Sequence, residues 1–355
     1  MDAAALRAQF PVLRETAYLN AGTCGPLPEV AARAAGAAAR AATEQGRTMP
    51  RWERYLEVRP QIRAAYAARL RALPEDVALT SSTSDGVARV VAGLDIGAGD
   101  EILTSDTEHP ALYGPLIAAR ARGARIRVVG LADIAEAVTP ETKLVACSHV
   151  DWTTGATAPN LGHVRAPVLL DGAQGVGAVD INVAALGCDF YAGSGQKWLC
   201  GPEGTGMLWV SPLWRERLEP VTPGYLNLAE PNRGLDTEPW PDARAYDAPG
   251  IALEAWVAAF AAHEVLAEFG WPQVYERATG LAAQLVEELQ QRGRTVAPRG
   301  ATTLVTWEMP DSDALPGRLA EQGVAIRNLP GTPYVRASVG AWNDESDLER
   351  LLAAI

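Results

Sequence analysis

Between Val77 and Val210 the chain alternates short β-rich apolar runs with helical segments, and few architectures accept that rhythm. Val77–Thr80 precedes an apolar helix carrying Val87, Val90, Val91 and Leu94, and Glu101–Thr104 precedes a helix around Ala111–Arg122. Arg125–Val129, Leu144–His149 and Val168–Asp171 read as buried strands, followed by Phe190–Gly193 and Thr205–Val210. Strands separated by helices join in parallel and are covered on both faces, so an α/β fold with a mostly parallel sheet is expected. Such sheets bind ligands at the carboxyl ends of their strands.

After about Ala245 the rhythm changes. Two long helical stretches, Ile251–Phe269 and Pro272–Arg292, lead to strand-like Thr303–Met309, Val324–Arg327 and Tyr334–Val339 and a closing helix from Glu345. This predicts a smaller α+β unit formed by residues 1–12 and 246–355, beside a large unit of residues 13–245. The 355 residues carry 31 basic and 43 acidic side chains, a formal net charge of −12. Nucleic acid is therefore not an expected partner, because phosphate binding wants clustered excess Lys and Arg. No apolar run is free enough of charge to suggest a membrane span, and Met1–Phe10 has no apolar signal core, so a cytoplasmic protein is expected. The four cysteines, Cys24, Cys147, Cys188 and Cys200, form no CxxC pair, suit small buried thiols, and suggest no metal site.

The chemistry gathers at strand ends. Val168-Leu169-Leu170-Asp171 puts a carboxylate where an apolar strand stops, and a buried carboxylate is costly without a cationic partner. Only two lysines occur, Lys143 and Lys197. Lys143 sits in turn chemistry and reads as solvated. Lys197 follows the next strand within Gly193-Ser194-Gly195-Gln196-Lys197-Trp198, a setting that suits a phosphate ligand or a Schiff-base nucleophile activated by desolvation. A carboxylate on a pyridinium nitrogen and a lysine in imine linkage are the paired demands of pyridoxal 5′-phosphate, PLP.

Here the sequence resembles a known family. Asp171-Gly172-Ala173-Gln174, Ser194-Gly195-Gln196-Lys197-Trp198 and Gly201-Pro202-Glu203-Gly204-Thr205-Gly206 are similar to the class V aminotransferases, fold-type I PLP enzymes that include cysteine desulfurases, cyst(e)ine C–S lyases and isopenicillin N epimerase. The likeness runs from Tyr18-Leu19-Asn20-Ala21-Gly22 to Val335-Arg336-Ala337-Ser338. It implies a seven-stranded, mostly parallel sheet in the large domain, and a homodimer. It implies that Lys197 carries the cofactor and moves the substrate proton, that Asp171 holds the ring nitrogen protonated, and that Gln174 bonds the ring's phenolic oxygen. His109 would stack on the ring face, Thr83, Ser84 and Ser194 would cup the phosphate, and Thr153 and Gln196 would lie beside the cofactor. Arg336, with Asn20, would bind the substrate. Read by themselves, Thr83 and Ser84 also suit a plain helix N-cap.

Three departures stand out. Gln196 replaces the family's histidine before the lysine, Thr153 replaces its asparagine, and Tyr246-Asp247-Ala248-Pro249-Gly250 lacks its phosphate-binding threonine. The loop from Arg327 to Arg336 contains two prolines and no cysteine, so a persulfide route through an enzyme thiol is not expected. The nine-residue step between those arginines and Glu108-His109-Pro110 are most similar to the C–S lyases. The expected reaction is β-elimination from cysteine, cystine or an S-conjugated cysteine, giving a thiol or persulfide, pyruvate and ammonia. Transamination, epimerisation and decarboxylative deamination are the alternatives within PLP chemistry, and a catalytically silent PLP-binding protein is the alternative outside it.

Overall fold

The computed structural model describes residues 1–355. Seven strands form the central sheet in the spatial order Val77–Thr80, Gly206–Val210, Phe190–Ser194, Val168–Asp171, Thr142–Ser148, Glu101–Ser105, Arg125–Val129. The five strands from Phe190–Ser194 to Arg125–Val129 run parallel. Gly206–Val210 is antiparallel to both its neighbours.

Side-chain alternation splits these strands between two cores. Val145, Cys147, Val168 and Leu170 enter one core, closed by Ile62 and Tyr66 of the Met49–Leu70 helix and Trp256 of the Leu253–Phe269 helix. Leu144, Ala146 and Leu169 enter the other, closed by Val87 and Val90 of Thr83–Gly93 and Leu112 and Leu116 of Pro110–Ala121. Both faces are thus dry, and each fully buried Leu or Val contributes roughly 1.5–3 kcal/mol.

Two strand readings need correction. Arg125–Val129 is not buried: it is the sheet's edge, with Val128 about half exposed and Arg125 and Arg127 both paired to the buried Glu101 (2.9 and 3.0 Å). Charged side chains of this kind blunt an edge against further pairing. Val324–Arg327 is not one strand. Val324–Ala325 pairs in parallel with Ala17–Tyr18, whereas Arg327–Asn328 pairs antiparallel with Tyr334–Ser338, which in turn pairs with Leu304–Glu308. Helices Trp271–Gln291, Leu315–Glu321 and Glu345–Ala353 cover this C-terminal sheet through a third core that includes Leu285, Leu319, Val335 and Leu348.

Two helices, Glu29–Glu44 and Met49–Leu70, fall where the sequence pattern assigned no element. The first is alanine-rich, the strongest helix-forming composition, and the second carries Pro50 in its first turn, where the missing N–H costs nothing. No helix is long and apolar enough to cross a membrane.

Candidate active site

Parallel strands end together, and this alignment brings the site residues into one crevice. Asp171 ends its strand with Ser148 as its register partner on one side and Ala192 on the other, and Ser194 ends the strand beyond. The amino terminus of Thr83–Gly93 opens onto the same crevice, and Ser82, Thr83, Ser84, His109, Asp171, Gln174, Ser194, Gln196 and Lys197 line it. A larger open cleft around Lys143 and Trp214 lies at the opposite ends of the strands and gathers no orphaned buried polar atom. Lys143 is exposed, as its turn setting predicts.

Asp171 is 4% exposed, and its Oδ1 accepts the Ala173 amide (2.9 Å). Burial pushes its carboxyl pKa up, while the nearby Lys197 ammonium pulls it back down. Lys197 has protein on every side of its amine, although part of the side chain borders the open cleft. Burial lowers that amine to about 8, with Asp171 opposing the shift and Arg336 adding to it. His109 is the N-cap of the Pro110–Ala121 helix, its Nδ1 accepting the Ala111 amide (3.1 Å). Burial and the cations of Lys197, Arg327 and Arg336 push the imidazole down to about 4, so it is neutral with its proton on Nε2. Gln174 donates from Nε2 to the Gly22 carbonyl (2.8 Å) and accepts from Trp198 Nε1 (3.0 Å), which leaves one amide N–H free.

The helix cap is Ser82 and not Thr83 or Ser84: Ser82 Oγ accepts the Asp85 amide (3.1 Å). That frees the next hydroxyl. Thr83 Oγ1, Ser194 Oγ and Gln196 Oε1 are all buried at the cleft without a partner. Orphaned atoms of this kind cost about 1–3 kcal/mol each unless a ligand satisfies them. Hydroxyls at a helix amino terminus suit a phosphate, a buried carboxylate suits a protonated ring nitrogen, and a desolvated amine suits an aldehyde. The residues present fit PLP.

Arg336 is fully buried, on the strand Tyr334–Ser338. Its Nη1 donates to the Trp152 carbonyl, while Nε and Nη2 have no partner. Ser338 Oγ is also orphaned, and Gly22 keeps the space beside it open: a Cβ there would lie 2.7 Å from Ser338 Oγ and 2.8 Å from Arg336 Nη2. Arg327 is half-buried, with its guanidinium 5.5 Å from the Trp152 ring centre and Nη1 3.4 Å from Thr23 Oγ1. Asn20 stands near this corner without lining the cleft. Its backbone bridges to Ser338, and its Oδ1 accepts the Thr23 hydroxyl (2.8 Å).

Among the expected cofactor contacts, Thr153 is the one that the crevice does not receive. Its amide and hydroxyl donate to Asp151 (2.7 Å each to Oδ1), with Thr154 Oγ1 adding a third donor group (2.9 Å), so its polar end is spent inside the turn. Trp152 reaches the cleft instead, edge-on to His109 at 5.0 Å, with its indole N–H buried and unpartnered. No periodicity marked Trp152, Ser82 or Ser148 as cleft residues; their strand-end positions were the available signal. Gly250 is exposed and points into open space, outside the cleft of its own chain.

A family model for class-V aminotransferases matches residues 18–351. Isopenicillin N epimerase of Amycolatopsis lactamdurans is 32% identical over 95% of this chain and 94% of its own length. A probable cysteine desulfurase of Xylella fastidiosa is 32% identical over 82% of this chain and 78% of its own. Among solved structures, the cystine C–S lyase C-DES in complex with its product cysteine persulfide superposes with a TM-score of 0.90 at 27% identity, covering 97% of this chain and 98% of that one. A mutant of C-DES with glycine covalently linked to the PLP cofactor superposes equally well, at 26% identity over 98% of each chain.

Proposed function

The chain belongs to the class-V aminotransferase family and is a PLP-dependent enzyme; from that premise we propose that it is a C–S lyase acting on cysteine, cystine or an S-conjugated cysteine by β-elimination. The thiols carry this choice of reaction. Cys147, Cys188 and Cys200 are buried and desolvation pushes each thiol up, Cys188 to about 12. Cys24, the cysteine close enough to feel the Lys197 charge, is also pushed up, by burial and by Glu203. A sulfur acceptor must be a thiolate, and none of these is poised to be one. The sulfur then leaves on the substrate's own fragment, as a thiol or persulfide. The resemblance to a cystine C–S lyase supports the same reading.

PLP, when bound, withdraws electrons from an amino acid's α-carbon and so acidifies the bond held perpendicular to its ring. The chain's residues decide which bond that is. Arg336 offers its two unpartnered nitrogens to the α-carboxylate, a bidentate match that lysine cannot reproduce. Asp171 would hold the ring nitrogen's proton by charge, and Thr83, Ser84 and Ser194 would hold the phosphate. His109 would pack against the ring, and Gln174 has a free N–H to offer its phenolic oxygen. With an amine lowered to about 8, Lys197 exists partly as free base near neutral pH, so Nζ would be able to hold the cofactor and later take the Cα proton and give it to the departing sulfur. A carboxylate gripped by that fork would be held against leaving as carbon dioxide, which favours loss of the Cα proton.

The decisive experiment incubates holoenzyme with a panel of S-substituted cysteines and no keto acid. Pyruvate, ammonia and a thiol or persulfide are the expected products. Accumulation of the D-amino acid without pyruvate replaces the lyase reading by epimerisation, which the identity to isopenicillin N epimerase favours as the second reading. Carbon dioxide or an aldehyde overturns the grip of Arg336 on the carboxylate. Lys197→Ala abolishes turnover, whereas Lys143→Ala retains it. A cytoplasmic homodimer belongs to the same proposal. Trp52, Leu56 and Tyr225 line an exposed apolar cleft suited to a second copy, and sedimentation of a fully active monomer counts against it.

A further inference from the structure

Behind the crevice lies a carboxyl group that the proposed chemistry does not use. Glu108 is 3% exposed. Its Oε1 accepts the Ser105 hydroxyl (2.6 Å) and the Ser148 amide (2.8 Å), and Ser148 Oγ lies 2.5 Å from Oε2. Ser105 and Ser148 are the last residues of adjacent parallel strands, so this one side chain laces two strands together where they open onto the cofactor. Glu108 is continuous in the chain with His109. Tyr113, one turn into the same helix, donates its hydroxyl to the Ser105 carbonyl (3.0 Å) and ties the helix start to that corner. On the other side, Ser148 lines the cleft and is the register partner of Asp171.

We propose that Glu108 is a positioning residue of the cofactor site: it laces Ser105 to Ser148, sets His109 at the cleft wall, and leaves Asp171, the carboxyl with a cation beside it, to face the cofactor ring. The inference rests on the cofactor occupying this crevice. The groups facing the carboxyl are Ser105 from the strand that precedes it, Ser148 and Cys147 from the neighbouring strand, Asp171 from the one beyond, and Tyr113 from the helix that follows. No cation is among them, whereas Asp171 has Lys197. Two buried carboxylates near one another cannot both ionise cheaply, and the one without a cation keeps its proton. Burial raises the Glu108 carboxyl to about 7, the serine bonds opposing and the Asp171 charge adding to the rise. A hydrogen-bonded neutral acid then serves the lattice of the site without competing for the ring's positive charge.

The test compares Glu108→Gln and Glu108→Ala with the wild-type holoenzyme, using equilibrium dialysis of PLP and the pH titration of the bound cofactor's visible absorption. Glutamine preserves shape, an acceptor and a donor, so cofactor affinity stays within about threefold while the wild-type inflection near pH 7 disappears. Alanine cuts the lacing and lowers cofactor affinity at least tenfold. If glutamine is as harmful as alanine, an ionised Glu108 is required and the proposal falls. It falls equally if alanine changes neither affinity nor the titration. Should the alanine variant fail to fold, Ser148→Ala removes one strand of the lacing alone, and unchanged affinity there has the same force. Covalent cofactor retained in Lys197→Ala overturns the placement of the cofactor on which the inference rests, whereas Glu108 variants without effect overturn the Glu108 role alone, so the two failures are distinguishable.

Discussion

Asp247 and Arg336 are both fully buried charges, and they have opposite fates. Asp247 is saturated. Arg63 grips it with Nη1 (2.9 Å) and Nη2 (2.6 Å), Arg59 adds a second guanidinium, and the Leu79 amide donates to Oδ1 (2.7 Å). Arg336 has one protein partner and two idle nitrogens, beside a space that Gly22 keeps open. A buried charge that the protein satisfies is part of the scaffold. One that it leaves half-satisfied has hydrogen-bonding capacity to offer a ligand. The saturated aspartate stands where the family pattern places its phosphate-binding loop, and it fastens that loop to the Met49–Leu70 helix.

The contrast is broken most severely at Asp247. Asp247→Ala strands Arg59 and Arg63 in the interior, and thermal or urea unfolding is expected to show a loss of about 3–5 kcal/mol. Cofactor content per folded molecule stays unchanged. Arg336→Lys does the reverse. Stability moves little, because the native guanidinium is already under-partnered, while amino-acid binding weakens by at least roughly 2 kcal/mol in spectral titration of the holoenzyme. Equal stability losses in the two variants erase the distinction.

His263 extends the comparison to a buried group with no hydrogen bond at either ring nitrogen, the exposed Glu264 carboxylate lying 3.5 Å from Nδ1. Burial, with Arg69 adding, depresses its pKa to about 4. A histidine whose folded pKa lies below its unfolded value contributes stability that is complete above about pH 6.5 and is lost as pH falls towards the folded pKa. Between pH 7 and pH 5, His263→Phe is therefore expected to lose about 2 kcal/mol less than wild type in chemical unfolding curves. Identical pH slopes place a proton on His263 in the native state. The smallest effect is expected at the thiols. Replacing Cys24, Cys147, Cys188 or Cys200 by Ser keeps the chemical step within roughly tenfold, about 1.4 kcal/mol. Cys24 is the discriminating case, since its thiol feels Lys197. A loss of several orders of magnitude at a folded Cys24→Ser restores a persulfide route.

Much of the architecture was legible because its causes are local. Leu144, Val145, Ala146 and Cys147 alternate between two cores, so the run reads as a strand covered on both faces. Arg125–Val129 reads as buried through Ile126, Val128 and Val129, but its two arginines are the local mark of an edge strand. The helices Glu29–Glu44 and Met49–Leu70 lie outside the alternation of strands and helices, and their alanine and proline signals mark no site.

The sequence by itself determined the sheet, the strand-end Asp171, the lysine that follows, and hence the cofactor. Each of these needs only neighbours within one supersecondary unit. The tertiary structure decided which polar groups are spent and which are free. Thr153 is spent on Asp151, Asp247 on two arginines from a distant helix, and Glu108 on two strand ends. Thr83, Ser194 and Arg336 are left free. Burial and hydrogen-bond satisfaction depend on which residues far apart in the chain meet, and the spacing of residue types does not record that.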